Sequence, residues 1–546
     1  MFRGRQLLTN INLSLNIIYK SPPLSSHSQQ YQWTSCLVVR HQNCFGHFAQ
    51  SQRAASTLAP LTPEKVTEIL ATNEFYLGTS RLLPAFIKSI ECNQLASNSP
   101  IEDRIRISSI QYPGLEEPTL FLGVFDGHGG GTTADIICRR LFNYIAIALH
   151  PDPSKLEISN RLSGTLIDLH NSPKLNNDPR LQTMETEMLN IYRDELLTMP
   201  DVRLHGGQNV TSSGVGPSAP MNKIASKLKA SFQRCDDDLS QEIQGHLEKR
   251  SSISKQAIAH YMNATVSGCC AIVMVLHQGF AYLASTGDCR AVMGIFDAKE
   301  RPIDETNEQD LETKLTGHPI HPSNCSFKTV ELNEEHNCDN INEVRRLAMS
   351  HPKSEQNTMI RHNRLLGHLM PFRAFGDFQY KWTAEIIKAC GLTQRFNYYQ
   401  IIPDHYETPP YLITEPDVTM FNIDQVGVET TEVGKRTSGS EESSERYLVM
   451  ATDGLWEMFE SSRDVIETLV DHTINAYREG NEEDYDENSA TYLLRSALRC
   501  GPHQDIGMDR ERLRRLYHNR LQSTLSLPKA VSRNYRDDIS IILMKL

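Results

Sequence analysis

The chain is 546 residues long, 39% hydrophobic and 22% charged, with a formal net charge of -12. That acidic balance excludes a nucleic-acid surface, which needs a concentrated basic patch, and no apolar run approaches the ~20 residues of a membrane-spanning helix. Its 12 cysteines include no CxxC and no Cys/His cluster of zinc spacing, which excludes a zinc module and a secreted disulfide framework. From Met1 to Pro63 there is no Asp or Glu, while Arg3, Arg5, Lys20, Arg40 and Arg53 add positive charge among Ser, Gln, Leu and Ile. Such a leader is the signature of a mitochondrial or plastid transit peptide; the expectation is a mitochondrial one over 1–56, removed near Arg53–Thr57, with a matrix address.

A helix is expected to start at Thr62-Pro63-Glu64, with Thr62 as cap and Pro63 at the first helical position. Past Pro100, Ile101, Ile105 and Ile107 alternate with charge and predict a strand that begins at Glu102-Asp103. Thr119–Phe125 reads as an apolar strand ending at Asp126-Gly127-His128 and a run of glycines, followed by a helix through Ile136, Leu141 and Ile145. Residues 155–220 are polar and lose strand periodicity; they read as an insertion, helical over Leu181–Leu197 and loop-like near its end. Asn222–His246 is an amphipathic helix with Ile224, Leu228, Phe232 and Leu239 on one face.

Ala264–Phe296 reads as a three-stranded meander turning at Gln278-Gly279 and Gly287-Asp288, the middle of an antiparallel sheet. The adjacent Cys269 and Cys270 are small core residues within it. Asn340–Met349 is helical, and Arg364–Trp382 is an aromatic, basic stretch containing Gly376-Asp377. Residues 427–446 are charged and poor in apolar residues, a second insertion. A strand over Tyr447–Ala451 then leads to Asp453-Gly454, and Asp537-Asp538 opens the last strand, Ile539–Leu546.

Glu102/Asp103, Asp126, Asp453 and Asp537 thus sit at strand ends far apart in sequence. They are hard oxygen ligands suited to Mg²⁺ or Mn²⁺. A two-metal site about 3.5–4 Å across needs one bridging carboxylate and flanking ones. Asp126 is the expected bridge, aided by the Gly127 carbonyl; Asp453 and Asp537 hold the second metal, and Asp288 helps hold a weaker third ion. His128 is placed to protonate a leaving alkoxide as general acid. Asp126 and His128 are therefore the catalytic candidates.

FLGVFDGHGG, SGCCAIVMV, ASTGDCRAVMG, PFRAFGD, VMATDGLWE and YRDDISIIL resemble, in order and spacing, the metal-dependent protein Ser/Thr phosphatases of type 2C. NQLASNSPIEDR, RRLFNYIAIAL, HPKSEQ and TPPYLITEPDV resemble the pyruvate dehydrogenase phosphatase subgroup. The resemblance implies an α+β fold, an αββα sandwich of two antiparallel sheets flanked by helices, in one domain over 57–546. It implies two Mg²⁺ or Mn²⁺ ions whose bound water attacks phosphoserine. Carried over position by position, Asp126, Gly127, Asp453 and Asp537 are the ligands, and Glu102 and Asp103 act directly or through water.

The implied substrate is the phosphorylated pyruvate dehydrogenase alpha subunit. A lipoyl domain of the complex core and a regulatory subunit are the implied partners, with no nucleic acid and no membrane span. One departure concerns phosphate binding. Where many members carry a phosphate-clamping Arg, this chain has Asn98, and Arg373 or Arg104 either substitutes or forms a structural ion pair. The competing readings are a catalytically silent phosphatase-like scaffold and a phosphatase of another mitochondrial phosphoprotein.

Overall fold

A computed structural model of the chain describes residues 61–158, 166–172, 179–198, 219–249, 253–297, 327–396, 401–423, 444–476, 486–500 and 510–546. The expected transit peptide, the loop that ends the first insertion and most of the second insertion lie outside them.

The strands fall into two antiparallel sheets. In chain order they are β1 (Phe75–Gly78), β2 (Ser89–Leu95), β3 (Arg104–Ile110), β4 (Thr119–His128), β5 (Leu166–Ser172), β6 (Gly268–His277) and β7 (Phe280–Thr286). They continue as β8 (Arg290–Asp297), β9 (Phe327–Glu331), β10 (Ile360–Arg361), β11 (Arg364–Leu365), β12 (Phe375–Gly376), β13 (Asp417–Phe421), β14 (Ser444–Ala451) and β15 (Ile539–Lys545). One sheet has the order β1-β2-β15-β14-β8-β9, the other β13-β7-β6-β4-β3-β5 with β12 also paired to β6; β10 and β11 form a separate hairpin.

Period-2 alternation sorts the side chains of these strands into layers. On β6, Cys269, Ala271, Val273 and Val275 face one core while Cys270, Ile272, Met274 and Leu276 face another. On β15, Ile542 and Met544 join that second core, and Ile541 and Leu543 face a third. The first core packs against α2 (Thr132–Leu149), α3 (Pro179–Thr198) and α4 (Ala219–Glu248) through Leu141, Phe142, Ile145, Leu189, Tyr192, Phe232 and Leu239, whereas α1 (Pro63–Ala71) serves the third core through Val66 and Leu70. Helices Ser462–Ala476 and Ser489–Cys500 cover the far face of the other sheet through Ile466, Leu469, Leu493 and Leu494. Helix, sheet, sheet and helix make the expected αββα sandwich. The start of α1 is as predicted: Thr62 Oγ1 accepts from the Lys65 amide at 3.3 Å, and Pro63 needs no donor partner there.

Three local readings change. The presumed meander does not stay in one sheet: at Gly287, with φ +103°, the chain leaves β7 and crosses, so that β8 pairs with β14 and β9. Alternation is the same in either sheet, so it cannot reveal the crossing. The first insertion is not devoid of strand. Leu166–Ser172 pairs with β3 as an edge strand, and the helix after it joins the first core. Finally, β4 does not stop at Phe125. It continues through His128, because Asp126, Gly127 and His128 stay in register with Cys270, Cys269 and Gly268. Among the described residues no helix is long and apolar enough to cross a membrane.

His277 ends β6 as a buried imidazole with Nδ1 2.7 Å from Thr119 Oγ1, and burial pulls its pKa down to about 4. The unfolded chain, with an ordinary His pKa of about 6.5, takes the proton first as pH falls. Stability carried by neutral His277 is therefore full above pH ~6.5 and drains away toward pH ~4. We expect His277→Gln to flatten the stability–pH curve across that window by about 3 kcal/mol, as measured by urea unfolding against the parent protein.

Candidate metal centre

The functional carboxylates arrive from both sheets. Asp126 comes from β4, Asp288 from the crossing between β7 and β8, and Asp453 from the first position of the short helix Asp453–Trp456 that follows β14. One ligand oxygen from each of the three lies within 4.8 Å of the others. Asp126 and Asp288 are buried, and Asp453 Oδ1 is buried without a hydrogen-bond donor. Burial first, and then the charges of Asp453, Asp103, Asp288 and Asp537, push the Asp126 carboxyl well above the usual carboxylate range. Asp453 is raised in the same way, by burial and then by Glu457, Asp288 and Asp537. Hard, crowded, undersatisfied oxygens fit a divalent cation, whose charge would cancel their repulsion.

The other predicted residues surround this triplet. Asp103 is fully buried; its Oδ2 accepts from Ser540 Oγ at 2.8 Å and Thr452 Oγ1 at 3.0 Å, which ties the start of β3 to both central strands of the opposite sheet. Glu102 is partly exposed and accepts from the Gly130 amide at 3.2 Å; burial raises its pKa. Gly127 lies so close to the Glu102 carbonyl that a Cβ there would overlap it. Asp537 forms an ion pair with Arg533 and accepts from the Asp538 amide at 2.7 Å. Asp537 and Asp103 stand outside the triplet, yet their charges reach Asp126. His128 Nε2 lies 2.5 Å from Asp377 Oδ2.

Two residues gained a place only in three dimensions. Asp538 accepts from the amides of Asn98 (2.8 Å) and Glu102 (2.7 Å) and from Asn98 Nδ2 (3.1 Å), so it holds the acidic loop against the start of β15. The doubled Asp537-Asp538 was its one visible signal. Asp377 was visible only as part of a Gly-Asp turn. Of the two arginines weighed for phosphate binding, Arg373 is buried and paired with Glu343 and Asp417, the latter at 3.0 Å. Arg104 donates to Asp135 at 2.6 Å and to the carbonyls of Ile101 and Asp103. Both are committed to structural contacts.

The sequence matches the family profile for Protein phosphatase 2C over residues 216–503, over half of the chain. This chain belongs to the protein phosphatase 2C family. It is a protein serine/threonine phosphatase. Asp288 and Asp453 lie inside the matched segment, whereas Asp126 and Asp537 lie outside it. The chain is 30% identical to the mitochondrial pyruvate dehydrogenase (acetyl-transferring) phosphatase 2 of Homo sapiens, across 99% of this chain and 93% of that protein. It is 29% identical to the mitochondrial pyruvate dehydrogenase (acetyl-transferring) phosphatase 1 of Pongo abelii, across 91% and 86% of the two chains. The phosphatase 1 of that name from Saccharomyces cerevisiae is 25% identical, over 82% of this chain and 67% of its own length. Metal dependence is general in the family to which the phosphatase belongs.

Two substitutions test the site. Asp126→Asn removes one charge from a repelling cluster and no core packing, so the metal-free variant is expected to melt at or above the parent temperature. It should lose the rise in Tm that Mn²⁺ gives the parent, and turnover should fall at least ~100-fold; near-normal turnover by the folded variant would refute the assignment. Gly454 packs so tightly on the Asp538 carbonyl that an added Cβ would overlap it. Gly454→Ala should cost about 1–3 kcal/mol in urea unfolding, by forcing β14 away from β15 at the site.

Proposed function

We propose that this phosphatase acts in the mitochondrial matrix on phosphoserines of the pyruvate dehydrogenase alpha subunit, and so reactivates that enzyme. The observation that carries the chemistry is the triplet of Asp126, Asp288 and Asp453, whose ligand oxygens lie within 4.8 Å of one another. The substrate and the compartment are supported by likeness to relatives named mitochondrial pyruvate dehydrogenase phosphatases that align along nearly the whole chain. Docking to a lipoyl domain of the complex core and to a regulatory subunit belongs to the same reading and rests on that likeness.

Asp126, with the Gly127 carbonyl, and Asp453 and Asp537 are the residues that would hold two Mg²⁺ or Mn²⁺ ions, with Asp288 toward a weaker third and Glu102 and Asp103 beside them. Bound there, such ions acidify water and neutralise phosphoryl oxygens. The chain's own groups position and protonate. Asp103 and Asp538 anchor the acidic loop through buried hydrogen bonds, so the carboxylates need no rearrangement to receive the substrate. Hydrolysis breaks the P–Oγ bond of phosphoserine and joins a water oxygen to phosphorus. His128, at the end of β4, gives the departing serine oxygen its proton and regains one from solvent, while the attacking water loses one to solvent.

The test is phosphate release by the full chain from phosphorylated pyruvate dehydrogenase and from an unrelated phosphoserine protein, each with Mg²⁺, with Mn²⁺ and with chelator. Metal-dependent release that prefers the dehydrogenase is expected. Equal release from both proteins would overturn the substrate, and no release from either would return the catalytically silent scaffold.

A further inference from the structure

We infer that Asp377 positions His128 for proton transfer, and that helix α4 fixes Asp377 in place through Asp236. The inference rests on the proposed role of His128 as general acid. The His128–Asp377 contact is built by three laterally paired strands. β4 brings His128 opposite Gly268 of β6, and β12 brings Gly376 opposite the same Gly268 from the other side. The two side chains then meet across that glycine, with Nε2 and Oδ2 2.5 Å apart. A Cβ on Gly268 would overlap both atoms, so a residue with no side chain is what lets the pair close.

The Asp377 carboxylate is 2% exposed, whereas the His128 ring is 24% exposed, so the pair has a buried end and an open one. Asp377 takes up Nε2, so Nδ1 is the ring nitrogen not committed to that contact. The Asp377 backbone is held in turn. It adopts φ +49°, ψ +40°, donates its amide to Ser267 O at 3.0 Å, and accepts from the Tyr380 amide at 2.8 Å. One residue earlier, the Gly376 amide donates to Asp236 Oδ1 at 2.8 Å. Asp236 is buried on α4, and its other oxygen accepts from Lys381 Nζ and Thr414 Oγ1, each at 2.6 Å. Lys381 Nζ also donates to Ala374 O at 2.8 Å, so the lysine spans the turn that carries Asp377. A left-handed, non-glycine residue kept in place by a buried Asp–Lys–Thr set is over-determined, a pattern found where a side chain must be aimed.

A merely structural contact between β4 and this turn would lower turnover of every substrate alike. A positioning role instead depends on how much the leaving group needs a proton. The experiment compares kcat of the full chain on a phosphoserine protein, whose alkoxide needs protonation, with kcat on p-nitrophenyl phosphate, whose phenolate leaves unaided. Asp377→Asn, His128→Ala and the double variant are each measured on both.

We expect Asp377→Asn to lose about 10–100-fold on phosphoserine and less than about threefold on p-nitrophenyl phosphate. His128→Ala should show the same split, and the double variant should be no slower than His128→Ala alone. Equal losses on both substrates, or a full additional loss in the double variant, would overturn the inference. Equal losses on both substrates already in His128→Ala would instead overturn the general-acid reading on which it rests. Asp377→Glu, which keeps the carboxylate but moves it by one methylene, gives the same comparison should Asp377→Asn not fold.

Discussion

The structure depends on carboxylates forced together against their own repulsion. Asp126, Asp288 and Asp453 meet where two sheets come together, in surroundings that exclude most water. Like charges at that distance in a low dielectric raise one another's pKa, because each ionisation is opposed by the last. A carboxyl whose folded pKa is raised lowers stability at neutral pH rather than adding to it. The fold holds the arrangement because each acid is anchored in a strand ladder or at its end and cannot move apart without breaking backbone pairing. The repulsion that remains amounts to a standing demand for a cation.

What resists that repulsion is the packing of three apolar cores between four layers. Leu122, Val124, Ile272, Met274, Leu448 and Ile542 interlock between the sheets and set the separation of the strands that carry the acids. Around the acids themselves, hydrogen bonds replace apolar packing. Asp103 joins β3 to Thr452 and Ser540, and Asp538 joins β15 to Asn98 and Glu102. The two carboxylates that brace the site are thus as constrained as the ones that would ligate. Positive charge nearby is mostly spent: Arg104 and Arg373 answer acidic neighbours, while Arg533 sits against Asp537.

The same constraint explains the glycines of the site. Gly127 and Gly454 are places where one backbone rests directly on the carbonyl of another, which brings the acidic loop onto β4 and β14 onto the start of β15. Close backbone approach, rather than flexibility, is what their lack of a side chain provides here.

Much of this was legible from the residues alone because the signals are local. Uninterrupted apolar runs mark strands at Thr119–Phe125 and within Ala264–Phe296, Thr62-Pro63 marks a helix start, and an acid next to a glycine at a strand end marks Asp126, Asp288 and Asp453 as candidates for chemistry. None of these readings requires knowing what lies across the molecule. The sheet that β8 joins, the edge strand inside a polar insertion, the closeness of Asp288 to Asp126 and the Asp377 partner of His128 do require it. Each is a contact between segments tens to hundreds of residues apart, and alternation looks the same whichever neighbour a strand pairs with. The sequence by itself determined which residues could bear charge and where strands and helices would form, because those follow from side-chain chemistry and local backbone preference. Only the tertiary structure decided which charges meet, because that depends on how three cores close around the strands.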